Sequence, residues 1–333
     1  MGKKASNKTV AAKANAAASK ASTAAGKILA EEESSFRPGD WARSAINERD
    51  INDLKNQGLL EGMEHQLPGD EEIPNPPEGW RVIFLSFLFR GLSLPAHEFL
   101  RGLLFVYGVQ IWQLTPNAIL HIVVFITFCE CYLGIAPHFG LWKALYQIRP
   151  NSGSDDSSIY TVGGCSFATR GGKNSLGYVK NFGQDSVTGW RSKWFYVKDK
   201  PVAGQKFNLA PFVNGKPVPL TSWSNDLTEE EQSEVKKLLP SLKEAVSHLS
   251  RDYGFTRLVS TFIGRRVQPL QARPSAMWEY SGPGDASRMG REDLEEEALS
   301  AAIHGVIKGA KNDDLPKDCP LPPYGSGRAL PEV

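Results

Sequence analysis

The sequence predicts a mainly α fold of the α+β class: a buried helical bundle, then a small β-containing subdomain and further short helices, all behind a basic N-terminal tail. Three observations carry that prediction. Between Trp80 and Ile148 apolar residues are concentrated, and Pro and Gly punctuate them at helix-like intervals. From Ile159 to Val197 short aromatic or β-branched runs bounded by Gly take over. After Thr228 helix-capping patterns return. With 41% apolar and 23% charged residues among 333, the composition is ordinary for a globular protein and leaves room for a sizeable core.

The elements follow in chain order. Residues 1–35 carry Lys3, Lys4, Lys8, Lys13, Lys20 and Lys27 among Ala, Ser and Asn, with no acid before Glu31. So little apolar bulk cannot offset the entropy of ordering, so this stretch reads as a disordered tail. It could be merely solvated, or an arm that contacts phosphates through Lys3 and Lys4 without base preference. An organelle transit peptide is a third option, to which Lys in place of Arg is poorly suited. The net charge of +1 for the whole chain hides this local excess.

Residues 36–79 read as a leading helix and a Pro-rich linker. Ile46, Ile51 and Leu54 share one face of a weak helical pattern ending near Gly58, and Pro68, Pro74, Pro76 and Pro77 enforce extended or turning backbone.

Residues 80–150 divide into four helical segments. Pro95 and Pro116 fit first helical turns, Ser93 and Thr115 precede them as caps, and Gly108 and Gly134 follow as stops. The third segment, Pro116 to Tyr132, is apolar on every side, so it is wrapped either by protein or by lipid. A membrane span needs about 20 apolar residues, and Ala118 to Ala136 approaches that length. His121 and Glu130 within it, and Arg90, Glu98 and Arg101 in its short neighbours, favour a buried core helix. A membrane-anchored protein held by residues 116–133 is the competing reading.

Residues 151–225 open with a Ser/Asp/Gly-rich hinge and continue as strands over Ile159–Ala168, Leu176–Lys180 and Trp190–Val197. In the last, Trp190, Ser192, Trp194 and Tyr196 alternate with Arg191, Lys193, Phe195 and Val197, giving one aromatic and one mixed face. Asn214-Gly215 is a hairpin signal weakened by nearby prolines. In residues 226–310, Thr228 with Glu231 and Ser241 with Glu244 fit capping boxes of two short helices separated by Pro240. A third helix is expected from Thr256 to about Gly264 and a last one from Arg291 to about Lys308, before a Pro-rich tail over 311–333.

Candidate chemistry is sparse. A two-metal nuclease needs several converging carboxylates, and between Arg81 and Ser154 only Glu98 and Glu130 are acidic. His121, Cys129, Cys131 and His138 are zinc-ligand types, but on an α-helix Cys129 and Cys131 diverge by about 160°. Gly163-Gly164 and Gly171-Gly172-Lys173 lack the Walker spacing and read as hairpin loops. The four cysteines show no paired C-x-x-C spacing, and with no signal peptide they read as free thiols of an intracellular protein, nuclear or cytoplasmic. Arg191, Lys193, Arg265, Arg266 and Arg273 form a candidate basic patch beside Trp190 and Trp194, a combination that could hold single-stranded nucleic acid by phosphate contact and stacking.

The run from Arg81 to Trp142 resembles the gypsy-type transposon domain, also labelled a transposase domain, found in many copies in plant genomes. The resemblance rests on Gly91-Leu92 with Leu94-Pro95, Tyr107-Gly108-Val109-Gln110, Leu114-Thr115-Pro116-Asn117, Cys129-Glu130, and Leu133-Gly134-Ile135 with Pro137 and Trp142. Later pieces, WRSKWFYVKD, RRVQPLQAR and MWEYSGPGD, extend it to about residues 76–284. It implies a retrotransposon-derived protein and carries no catalytic residue across. The expectation is therefore a non-catalytic protein without cofactor, metal or small-molecule substrate, working through Gag-like self-association or non-specific nucleic-acid contact. A DNA-binding transposase remnant is the alternative.

Overall fold

The computed structural model describes residues 41–56, 59–60, 63–92, 94–151, 162–171, 187–200, 209–216, 223–224, 226–248 and 258–259. The basic tail with Lys3 and Lys4, the strand Leu176–Lys180, the segment carrying Arg265, Arg266 and Arg273, the helix expected from Arg291, and the C-terminal tail lie outside them. So does the helix Thr256–Gly264, except Leu258 and Val259. Six helices and two small antiparallel sheets among the described residues make an α+β architecture.

Helix α1, Glu48–Asn56, starts at a reciprocal cap. Asn47 Oδ1 accepts from the Arg49 and Asp50 backbone N–H groups, while Asp50 Oδ2 accepts from Asn47 N–H. Ile51 and Leu54 are its buried residues, as their spacing predicts.

The first of the four predicted helical segments is corrected here. Trp80–Phe84 forms strand β2, which pairs with β5, Trp194–Lys198, with Val82 opposite Tyr196 and Phe84 opposite Trp194. A continuous apolar run fits a buried strand as well as a helix, and only a distant pairing partner decides between them. The chain then turns into the short helix α2, Leu85–Phe89. A two-residue strand β1, His65–Gln66, lies on the other side of β5, so the order is β1-β5-β2 and β5 is central. That position explains a second difference: Trp194, Phe195, Tyr196 and Val197 are all buried, so the strand has no mixed, wet face. Trp190–Ser192 is a separate 3₁₀ turn before it.

Helix α3 spans Glu98–Tyr107, α4 spans Pro116–Thr127 and α5 spans Phe139–Leu145. Thr115 caps α4 through Ala118 N–H with Pro116 in the first turn, and Gly108 and Gly134 close their helices in the left-handed conformation, all as the sequence predicts. Pro95 does not open a helix; it follows a cis peptide bond, and His97 is the cap of α3. Beyond α4 the backbone widens into one π-helical turn, Phe128–Leu133, ended by Gly134. After α5, Tyr146–Pro150 forms strand β3 rather than continuing a helix, and it pairs with β4, Cys165–Thr169.

Helix α6, Glu229–His248, runs uninterrupted through Pro240, correcting the two-helix expectation. Val235, Leu242 and Ala245 are buried and Leu238 is half-buried, a stripe at helical spacing that crosses the proline. Burial along that stripe offsets the backbone bond Pro240 cannot donate. The Thr228–Glu231 capping box is present in both directions, 2.8 and 3.1 Å. Asn214-Gly215 makes a turn with Gly215 at φ +64°, and no strand flanks it among the described residues.

The core is centred on α4. Pro116–Leu133 is the one stretch among the described residues long and apolar enough to cross a membrane, and 83% of it is buried inside the protein. Aromatic rings cover it from one side: Trp142 stacks on Tyr146 at 4.2 Å and meets Phe125 and Phe167 edge-on. A second aromatic group joins the sheet to the helices, with Trp41 stacked on Phe84 and edge-on to Trp194, and Trp190 edge-on to Phe84 at 4.7 Å. Gly163 at φ +71° lies flat against Trp190, where an added Cβ would fall 2.5 Å from the indole. Indole packing explains this glycine without any phosphate ligand.

Candidate functional site

Buried polar groups collect around α4 and the π-helical turn. Glu130, fully buried in that turn, lies 3.1 Å from His97 Nε2. His97 Nδ1 accepts the Phe99 N–H as the cap of α3. These two contacts assign the neutral tautomer: Nε2 carries the proton and donates it to Glu130. A histidine–carboxylate pair resembles half of a catalytic triad, but here the carboxylate holds one ring nitrogen and a helix N-terminus occupies the other. In this arrangement neither nitrogen accepts a proton from a substrate. The pair ties the start of α3 to the turn after α4.

His138 repeats the arrangement nearer the surface. Its Nδ1 accepts Leu141 N–H as the cap of α5, and its Nε2 lies 3.0 Å from Glu234 of α6. Lys143 on α5 donates to Glu231 on α6 at 2.8 Å, adding a second polar tie. Burial raises the Glu231 carboxyl, but the hydrogen bonds from Lys143 and from the Thr228 N–H outweigh it and hold the carboxyl below its ordinary value.

Two further ionisable groups sit deep. His121 on α4 packs its ring 5.4 Å from Tyr146, and burial, with a smaller contribution from the nearby Arg90 charge, lowers its pKa to about 4. Arg90, at the end of α2, is 2% exposed. Desolvation lowers it to about 10, which leaves it charged at neutral pH.

The cysteines are not arranged for metal. Cys129 is buried and Cys131 half-buried, and among the described residues no group of three or more His, Cys, Asp or Glu side chains is placed to hold a metal ion. Burial pushes the Cys129 thiol up, and lifts Cys165 to about 12, so both stay protonated and inert.

Of the predicted basic patch, Arg191 and Lys193 lie among the described residues. Lys193 Nζ donates to Asp50 at 2.8 Å and to the Ala45 carbonyl at 2.9 Å. Arg191 lies over the Trp190 ring at 5.2 Å and donates to the Val162 carbonyl. Trp190 and Trp194 are 6% and 0% exposed, so neither offers a face on which a base could stack. Arg265, Arg266 and Arg273 are outside the described residues. Sequence reasoning missed His97, and it noted Arg90 only as a charge in the short segment beside α4, not as a buried group. The available signal for His97 was its place before Glu98 and an apolar helical run, a capping position usually taken by Ser, Thr, Asp or Asn.

Residues 82–150 match a family model described as "Putative gypsy type transposon". This segment is similar to a gypsy-type transposon domain. No curated protein and no solved structure matches the chain. The matched segment runs from inside β2 to the last residue of β3, so it contains α2 to α5, the π-helical turn, and the His97–Glu130 pair. Both of its terminal strands complete their pairing outside the matched residues, β2 with β5 and β3 with β4.

Proposed function

We propose that the chain is a retrotransposon-derived structural protein that acts by associating with copies of itself, without catalysis of its own. The match of residues 82–150 to a gypsy type transposon model carries this reading. Two structural features support it. The reactive residue types of the domain, His97, Glu130 and Cys129, serve helix ends and core packing. On α3, Phe105 and Val106 are 70% and 44% exposed, an apolar pair of the kind a self-association surface presents.

Sizing the full chain by light scattering across a concentration series, with and without nuclease, tests the proposal. Self-association predicts a mass that rises with concentration, survives nuclease, and falls toward the monomer for Phe105→Asp. A monomer at every concentration overturns it. A mass that collapses only after nuclease points instead to nucleic-acid association, with Lys3 and Lys4 the first cations to replace.

A further inference from the structure

We propose that Arg90, together with Ser86, holds a small inorganic anion inside the matched segment. Arg90 Nη1 and Nη2 and Ser86 Oγ are all buried, and none of these atoms has a hydrogen-bond partner. The two residues are one helical turn apart, with Arg90 N–H bonded to the Ser86 carbonyl at 3.1 Å. They therefore share a face of the α2 turn, which packs on α4. Arg90 is close enough to His121 on α4 to act on it electrostatically, and His121 is neutral at physiological pH. No carboxylate among the described residues pairs with Arg90.

An enclosed, unpaired cation is among the most costly arrangements a core can contain, and guanidinium does not relieve the cost by losing its proton near neutral pH. The missing element is a negative charge that can accept from two guanidinium N–H groups and one hydroxyl. Because the donor atoms are sealed from solvent, the occupant is compact, a chloride-sized ion rather than a nucleotide or a peptide carboxylate. Buried water would satisfy the hydrogen bonds and leave the charge uncompensated, which makes the two occupants separable by experiment.

The test uses the full chain, its thermal unfolding followed in sodium chloride and in sodium gluconate at equal ionic strength. Gluconate is too large to enter, and as the more strongly excluded anion it stabilises folded proteins non-specifically, so a chloride advantage runs against the general salt trend. The expected result is a melting temperature that climbs with the logarithm of chloride concentration once the site begins to fill. Ser86→Ala, which removes one donor and little volume, should move the chloride midpoint several-fold higher. Arg90→Met should abolish the chloride dependence. Identical melting curves in the two salts, or a chloride midpoint unmoved by Ser86→Ala, overturn the proposal and leave water as the partner of Arg90.

Discussion

His97 and His138 make the same pair of contacts in different surroundings, and the surroundings set their worth. The His97–Glu130 side chains are 9% and 0% exposed, whereas those of His138–Glu234 are 29% and 47% exposed. His97→Ala removes a helix cap and takes a donor from a buried carboxylate, so it should destabilise by about 3–5 kcal/mol. His138→Ala loses chiefly the cap, about 1 kcal/mol, because its contact with Glu234 is open to solvent. Urea unfolding of both variants at neutral pH measures the difference, and equal losses would mean the buried pair has no special weight. His121 predicts a pH dependence. Its folded pKa of about 4 lies below the ordinary 6.5, so the unfolded chain takes up the proton first. Stability from this residue is complete above pH 6.5 and is lost as the pH falls toward 4, at most on the order of 3 kcal/mol. His121→Gln should flatten that part of the stability profile measured by urea unfolding from pH 7 to 4. At this scale the sequence was only partly legible. Thr115, Gly108 and Gly134 announce their roles because capping chemistry is local; His97 is announced only by its place before Glu98 and an apolar run, and nothing local distinguishes a buried arginine from a surface one.

At the scale of elements, the punctuation of the chain was more readable than the identity of what it separates. Helix α4 is recognisable from Pro116 to its glycine stop, and being buried on all sides follows from being apolar on all sides. Strand β2 is not recognisable, since Val82, Ile83 and Phe84 suit either structure and their partners Tyr196, Phe195 and Trp194 lie far along the chain. Pro240 misled for the opposite reason: a strong local signal for a break lost to an apolar stripe packed on both sides of it. Pro240→Ala should therefore stabilise α6, by up to about 3 kcal/mol, because it restores a backbone donor in a helix that already exists. A lower melting temperature for this variant would show that the proline fits a local bend. Leu242→Ala, at a fully buried position of the same stripe, should cost about 2–5 kcal/mol in urea unfolding.

For the whole molecule, the residues that match the transposon family are not the whole folding unit. Val82 to Pro150 supply the central helices, but β5 brings the buried Trp194 and Tyr196 to pair with β2, and β4 brings Phe167 against Tyr107 and Trp142. A fragment of residues 82–150 alone should aggregate or stay unfolded by circular dichroism, whereas residues 41–248 should give a cooperative transition. The sequence change near residue 150 looked like a domain boundary because composition shifts there, yet strand pairing crosses it twice. Composition reports what each segment is made of and not which segments share a core. Amide hydrogen exchange of the full chain in detergent-free buffer tests most directly that α4 is sheltered by the rest of its own polypeptide. Residues 118–127 and 194–198 should exchange together at the slow limit set by global unfolding. Fast exchange of 118–127 in buffer, with protection appearing only in detergent or lipid, would contradict this and put that helix in a membrane.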